Sequence, residues 1–475
     1  MATNRNRLRA ALAGAAVLAF AVELGVAQVL PAKSQDGGNR TMVSSANPSG
    51  VVTTIFLNGA SLDLRNPFFK SLGTNGRSCA TCHVPGLDWT ITPKYVQAVF
   101  NATNGNDPLF AGVDGMNSPR ADRTTRAARR AACSMLLTKG LIRVGIGIPA
   151  DAEFTLETCD DPYGFAGPKE LSLFRRPLPT TNLGFLTTVM WDGRESTGPN
   201  TFPIAAVATD AQNRDNLIAD LKHQAFDATM GHAQAGVTPT DDQIAAIVAL
   251  ELSTATAQVG TSGVGSLLVD GALGGPVSLA NQLFYVTIND VLEQDHFGVP
   301  FDSSAMTLYS AWRKSPDPKR RQVARGEVLF NTKPIDITGV AGLNDVLHLQ
   351  VIRGTCTSCH DSPNVGSHSV SLPINIGTSD AGRRTPDMPL YTLRNIATGK
   401  TTQTTDPGRA LVTGRWADVG KFKGPVLRGL PARAPYFHNG MAATLDDVVD
   451  FYDTRFGVKF TEQEKDDLVA FLKTL

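Results

Sequence analysis

The stretch Arg353–Gly366 reads RGTCTSCHDSPNVG. Its core, Cys356-Thr-Ser-Cys359-His360, has an earlier copy, Cys79-Ala-Thr-Cys82-His83. C-x-x-C-H is the attachment signature of a c-type haem. The two thiols form thioethers to the porphyrin, and the histidine supplies one axial nitrogen. A zinc half-site would need further Cys pairs at ligand spacing, and the chain has none. Two covalently bound haem c groups are therefore expected, one on Cys79, Cys82 and His83, the other on Cys356, Cys359 and His360. Each motif leaves open what faces the far side of its iron.

The rest of the composition narrows the setting. The chain has 475 residues, enough for two or three domains, with 42% hydrophobic residues and 44 basic against 44 acidic side chains. A net charge of zero gives no reason to expect a nucleic-acid partner. Arg5, Arg7 and Arg9 precede the apolar run Ala10–Ala21, which ends in Ala19-Phe20-Ala21. That is the pattern of a cleaved export signal over 1–27. Glu23 interrupts the run before it reaches spanning length, so the mature chain is expected to lack a membrane span and to reside in the periplasm. Six cysteines are present; the haem motifs use four, and Cys133 and Cys159 most simply pair as a disulfide in an oxidising compartment.

Residues 28–50 are polar and rich in Gly, Ser and Asn, and read as a flexible leader. Helical spacing covers Arg123 to Leu141, and again Asp241 to Leu252, where Ile244, Ile247, Val248 and Leu252 share a face. The Gly-rich stretch ending at Pro276 reads as a loop or hairpin. A boundary is expected at Ser315-Pro316-Asp317-Pro318. Beyond it, Gly326 and Phe330 lie on one helix, and Thr461 with Glu464 makes a capping box for the last one. This pair resembles the crossing terminal helices of the cytochrome c fold. The expected fold is mainly α, with two cytochrome c-type haem domains: 51–317, expanded by insertions, and 318–475.

The segment from Lys421, KFKGPVLRGLPARAPYFHNGMAATLDDVVDFYDTRFG, resembles the C-terminal signature of bacterial dihaem cytochrome c peroxidases and MauG-type enzymes. Its centre, Ala434-Pro435-Tyr436-Phe437-His438-Asn439-Gly440, is similar to their A-P-Y-F-H-(D/S)-G. Met190-Trp191-Asp192-Gly193-Arg194 resembles their F-W-D-G-R, whose Trp lies between the haems and relays electrons. The likeness is clear over 320–475 and around both haem motifs and Trp191, and weak over roughly 85–175 and 205–315.

The resemblance implies site residues. Tyr452 aligns where peroxidases carry the Met ligand of the C-terminal haem and MauG-type proteins a Tyr. Leu445, Val448, Val449 and Tyr452 share one helix face, so Tyr452 is expected to point inward as an iron ligand. The first haem lacks the distal His that these enzymes often carry about sixteen residues after the motif. Its iron is expected to be five-coordinate or ligated from elsewhere, with His232 the best remote candidate. The acid–base residue that moves a proton during O–O cleavage falls to Asp210, the nearest carboxylate, which also suits a helix cap, or to His232. The family often binds calcium between its domains. Here Arg176 stands where an Asn ligand would align, while the backbone carbonyls of Arg433 and Pro435 remain usable, so calcium stays open.

Together these features predict a peroxidase-like oxidoreductase. Hydrogen peroxide is the expected oxidant. A small redox protein donor, or a partner protein that itself becomes oxidised, is the expected source of electrons. The alternative is a dihaem electron-transfer cytochrome without catalysis.

Overall fold

Pro318 opens the first of the two crossing helices. In the computed structural model, which describes residues 28–33, 39–196 and 210–475, Asp317 caps this helix and Pro318 takes its first position. The helices that build the core are α1 (Pro93–Thr103), α2 (Asp210–Gly231), α3 (Asp241–Leu252), α4 (Pro318–Thr332), α5 (Leu445–Phe456) and α6 (Glu462–Leu472). The expected capping box starts α6, and Thr444 with Asp447 starts α5 in the same way. Helices α4 and α6 cross at Gly326. A Cβ there would lie 2.0 Å from the Asp467 carbonyl oxygen, so only glycine permits the approach. Arg325 closes the crossing with two bonds of 2.7 Å to the Asp467 carboxylate.

The boundary expected at 315–318 is not where the cores divide. Leu267, Met306, Leu308, Tyr309 and Trp312 are buried in one cluster with Val323, Phe330, Phe471 and Leu472. Tyr309 donates its backbone N–H to Glu327 at 2.6 Å and its hydroxyl to the Thr474 carbonyl at 3.0 Å. The apolar residues just before Pro318 belong to the second core because the chain has already crossed over. A second exchange runs the same way. Strand β5 (Phe154–Asp160), from the first half, pairs antiparallel with β11 (Leu390–Asn395). Its sequence, FTLETCD, alternates apolar and polar residues, the pattern of a half-buried strand.

The first strands also correct the expected leader. Residues 28–50 carry β1 (Gln28–Lys33) and β2 (Asn39–Asn47), and β3 (Gly50–Phe56) follows directly. With β7 (Thr254–Thr261) and β8 (Gly265–Ser266) they form one sheet, ordered β1-β2-β3-β7-β8. Its middle is tied by a hydroxyl contact from Thr54 to Thr256 at 2.7 Å. Polar side chains of the leader find partners in the sheet: Ser44 meets Thr53 at 2.8 Å, and Asn47 donates to Gln258 at 2.9 Å. The Gly-rich stretch forms the expected hairpin between β7 and β8. Two-stranded β4–β6 (Ile142–Ile146, Leu171–Arg175) and β9–β10 (Ile335–Thr338, Val351–Gly354), with β12 (Thr401–Thr404) beside β11, complete the sheets among the described residues. The expected "mainly α" fold therefore holds only in part: helices build the core around the haem motifs, and both insertions mix helix with antiparallel strand.

Cys133 and Cys159 are both free thiols, against the expected disulfide. Cys133 breaks the expected 123–141 helix into Arg126–Ala132 and Ser134–Lys139 and packs in the cluster of Val96, Phe100 and Leu136. Cys159 lies on β5 opposite Tyr391, in a different cluster, because the β11 ladder holds that strand there. Residues 1–27, the expected export signal, lie outside the described residues. No helix among the described residues is long and apolar enough to cross a membrane.

Candidate functional site

The two C-x-x-C-H motifs fold alike. Each forms a single short 3-10 turn, Cys79–Thr81 and Cys356–Ser358, opened by a small capping box. Ser78 N–H donates to the Thr81 hydroxyl at 3.0 Å, and Thr355 N–H to the Ser358 hydroxyl at 3.0 Å. The turn then directs both thiols and the imidazole to one side. His83 Nδ1 donates to the Trp89 carbonyl at 3.1 Å, and His360 Nδ1 to the Gly366 carbonyl at 2.8 Å. That choice of tautomer leaves each Nε2 with a free lone pair, the form a metal ligand needs. Burial pushes His83 down to about 4 and lowers His360 as well, so both rings stay neutral.

Each motif opens into its own cavity. The first has about 1590 Å³ of empty space, mouth included; the second about 1700 Å³. Two unpaired thiols and one neutral imidazole at the wall of a large apolar cavity are a donor set that fits a haem c group. The walls differ. The second cavity is lined by Phe330, Ile335, Ile337, Ile374, Val448 and Leu468, with Tyr452 among them. Tyr452 is held by Phe451 (ring centroids 5.2 Å apart) and stacks on Phe456 at 6.3 Å. Its hydroxyl makes no hydrogen bond among the described residues, and burial pushes its phenol up.

The first cavity carries charge. His232, just past α2, lines it together with His83. Its Nδ1 hydrogen-bonds to Asp114, which is also ion-paired to Arg77. Arg77 is anchored in turn to the carbonyls of Pro108 and Leu109, each at 2.8 Å. Burial opposes the charge on Asp114, but Arg77 and His232 hold its carboxyl below the usual range. His232 Nε2 therefore remains available to the cavity. Asp210 is the first residue of α2, and its side chain lies outside the described residues.

Sequence reasoning missed Glu251. It sits on α3 three residues after Val248 and four after Ile247, a core position of that helix. It lines the first cavity at 3% exposure, one carboxyl oxygen has no partner, and burial pushes it up to about 8. The readable signal was a carboxylate on an apolar stripe. Lys423 was also missed. Its Nζ donates to the Thr188 carbonyl at 2.9 Å, and burial lowers it to about 7.

The two cavities share a wall. Arg176, Pro177, Leu178, Pro179, Trp191, Lys423, Pro425, Val426 and Arg433 line both. Trp191 Nε1 donates to the Arg176 carbonyl at 2.8 Å, and its own carbonyl accepts from Lys423 N–H at 2.9 Å. The next residue, Asp192, is fully buried between Arg175 and Arg194. Burial opposes its charge, yet these guanidiniums hold it down at about 2. Arg175 reaches on to Asp406 at 2.7 and 2.9 Å, so the W-D-G-R segment is bolted to the second half of the chain. His438 stacks on Phe422 (3.9 Å) and meets Trp191 edge-on at 6.2 Å. For calcium the residues do not fit: the Arg433 carbonyl already accepts from the Arg176 guanidinium at 3.2 Å.

No family model matches the chain. It is 36% identical over 138 residues to the cytochrome-c peroxidase IdrP2 of Denitromonas iodatirespirans, covering 26% of this chain and 36% of that protein. It is 33% identical over 121 residues to the cytochrome c551 peroxidase of Nitrosomonas europaea, covering 25% and 30%. The chain thus spans about a third of the curated relatives it matches. Two solved structures overlay on 86% of it: a MauG-like protein associated with microbial copper homeostasis (18% identity, TM-score 0.38), and a variant of the diheme peroxidase BthA from Burkholderia thailandensis (16%, TM-score 0.30). Those overlays are too loose to bear on the site. Over about a quarter of its length, then, the chain is similar to bacterial cytochrome c peroxidases, and it carries two C-x-x-C-H motifs.

Proposed function

We propose that this chain is an exported, periplasmic dihaem c-type cytochrome with peroxidase-like activity, in which the first cavity handles peroxide and the second stores or passes electrons. The observation that carries this reading is the inequality of the two cavities. Haem iron, when bound, would supply the site of O–O cleavage and the redox equivalents. The protein's part in the first cavity is proton handling. His232 Nε2 faces the space and its Nδ1 is tied to Asp114. The carboxylate fixes the ring's orientation, and His232 is the group proposed to take a proton from one peroxide oxygen and return it to the other. Asp210 stays the rival acid–base group proposed from sequence. Glu251 is neutral when its pKa is about 8 and the solution is below that, and offers a second buried proton near Cys79.

In the second cavity, His360 and Tyr452 are the residues that would hold the iron, Tyr452 through its phenol oxygen. A hard oxygen donor favours ferric over ferrous iron. Trp191 is the proposed relay, supported by its place in the shared wall. The reducing partner is proposed to be a small redox protein or an oxidisable partner protein.

Stopped-flow mixing of the ferric protein with hydrogen peroxide tests the reading. A change in the haem spectra within the mixing experiment supports it; unchanged spectra at both haems sink it. A second reading, an electron-transfer cytochrome, is favoured by one observation. His232 and His83 line the same cavity, so His232 could serve as a sixth ligand. It predicts two low-spin haems, and a high-spin charge-transfer band in the ferric protein excludes it.

A further inference from the structure

The wall between the cavities contains a buried cation with no anion of its own. Arg176 is 5% exposed. Its guanidinium donates to four backbone carbonyls: Ile91 at 2.6 Å, Gly140 at 2.9 Å, and Lys139 and Arg433 at 3.2 Å. Among the described residues no carboxylate pairs with it; the buried carboxylate of Asp88 faces Arg433 at 3.2 Å instead. Converging carbonyl oxygens are the donor set of a hard metal cation. Here a side chain of the same protein occupies their focus.

The cage joins distant parts of the chain. Ile91 precedes α1, Lys139 and Gly140 end a helix of the first half, and Arg433 belongs to the C-terminal segment. The backbone of Arg176 adds two more ties, accepting from Trp191 Nε1 at 2.8 Å and donating to the His438 carbonyl at 2.7 Å. The fit is close. Gly140 has φ +62°, and a Cβ there would come within 1.8 Å of Arg176 Nη1. A divalent ion at this focus would meet a fixed like charge at contact distance in a buried wall, where screening is weak.

We propose that Arg176 is the resident cation of the wall between the haems, a positioning residue that holds Trp191, His438 and the Arg433 carbonyl in place of a bound calcium ion. Its guanidinium keeps its charge at neutral pH although burial and the neighbouring Arg433 lower it to about 9. The inference rests on the two-haem reading but not on peroxide turnover, and a pyridine haemochromogen count of two haems per chain checks the former separately.

The test uses the full dihaem protein. After exhaustive treatment with EGTA, calcium chloride is titrated to millimolar concentration and followed by calorimetry and by electron paramagnetic resonance of both ferric haems. The expected result is no saturable heat and no change in either signal. Arg176→Gln, which keeps hydrogen bonding but removes the charge, is expected to perturb both haem signals and to slow electron exchange between the haems by about tenfold to a hundredfold. Arg176→Lys should recover part of that loss. Saturable binding of one calcium per wild-type chain with a shift in either haem signal would overturn the proposal. So would an Arg176→Gln protein whose signals and exchange rate match wild type. If Arg176→Gln does not accumulate, the wild-type titration and Arg176→Lys are judged by the same criteria.

Discussion

The two cavities share one attachment motif, one local turn, one histidine tautomer and a common wall, yet the residues they do not share differ in character. Apart from the shared wall, with its Arg176, Lys423 and Arg433, the second is closed mainly by aliphatic and aromatic side chains, and the Tyr452 hydroxyl makes no hydrogen bond among the described residues. The first places an imidazole, two carboxylates and a guanidinium around the same kind of space: His232, Asp114, Glu251 and Arg77. An apolar wall raises the cost of any charge change and suits a group that only exchanges electrons. A wall with a tethered imidazole can also move protons. The shared motif makes the two sites alike, and the rest of each wall makes them differ.

The comparison can be broken first at the motifs themselves. Replacing Cys356 and Cys359 with Ser should reduce the count from two covalent haems to one, read by haem stain after denaturation and by pyridine haemochromogen. Two haems in that protein would refute the attachment assignment. The next largest effect is expected at His232. His232→Ala should slow the reaction with peroxide by about 10²–10⁴-fold while the second haem's resonance signal stays unchanged. A signal change at the first haem without a rate change would instead make His232 a ligand.

Tyr452→Phe addresses the other cavity. It should alter the ferric signal of the second haem and raise its midpoint potential, leaving the first haem's signal as it was. An unaltered second signal removes Tyr452 from the ligand set. The smallest effect concerns Glu251. Its folded-state pKa is raised by burial from 4.5 to about 8. Folding therefore favours its protonated form, and the stability it contributes is full below about 4.5 and declines as pH rises toward 8. Denaturant titrations of wild type against Glu251→Gln should diverge across that window, wild type losing ground as pH rises, and run parallel above it. A constant difference across the window would mean that Glu251 is not buried in its neutral form.

Much of this was legible before any fold was known. C-x-x-C-H is local: its two thiols and its histidine are set by a single turn, so spacing alone locates them. The crossing of α4 and α6 was legible for the same reason, since Gly326, the capping box at Thr461 and the apolar stripe are each short-range signals. Tyr452 and Trp191 were reached through motif likeness, and both line the expected cavities. The division into 51–317 and 318–475 failed because residues 267–312 and β5 pack across that line, and pairing between segments over two hundred residues apart leaves no local trace. The leader became strands β1 and β2 for a related reason. Its polar residues pair with β3 just downstream, and that meander is anchored through β3 to β7, about two hundred residues along the chain.

The sequence by itself determined the two attachment turns, the terminal helices and the family likeness, because each depends on residues a few positions apart. Only the tertiary structure decided that Asp114 backs His232, that Glu251 lies buried beside the first motif, and that the Arg176 guanidinium fills a cage of carbonyls. Those groups come from segments with no fixed spacing between them. Their chemistry arises from burial and convergence, which exist only once the chain has folded.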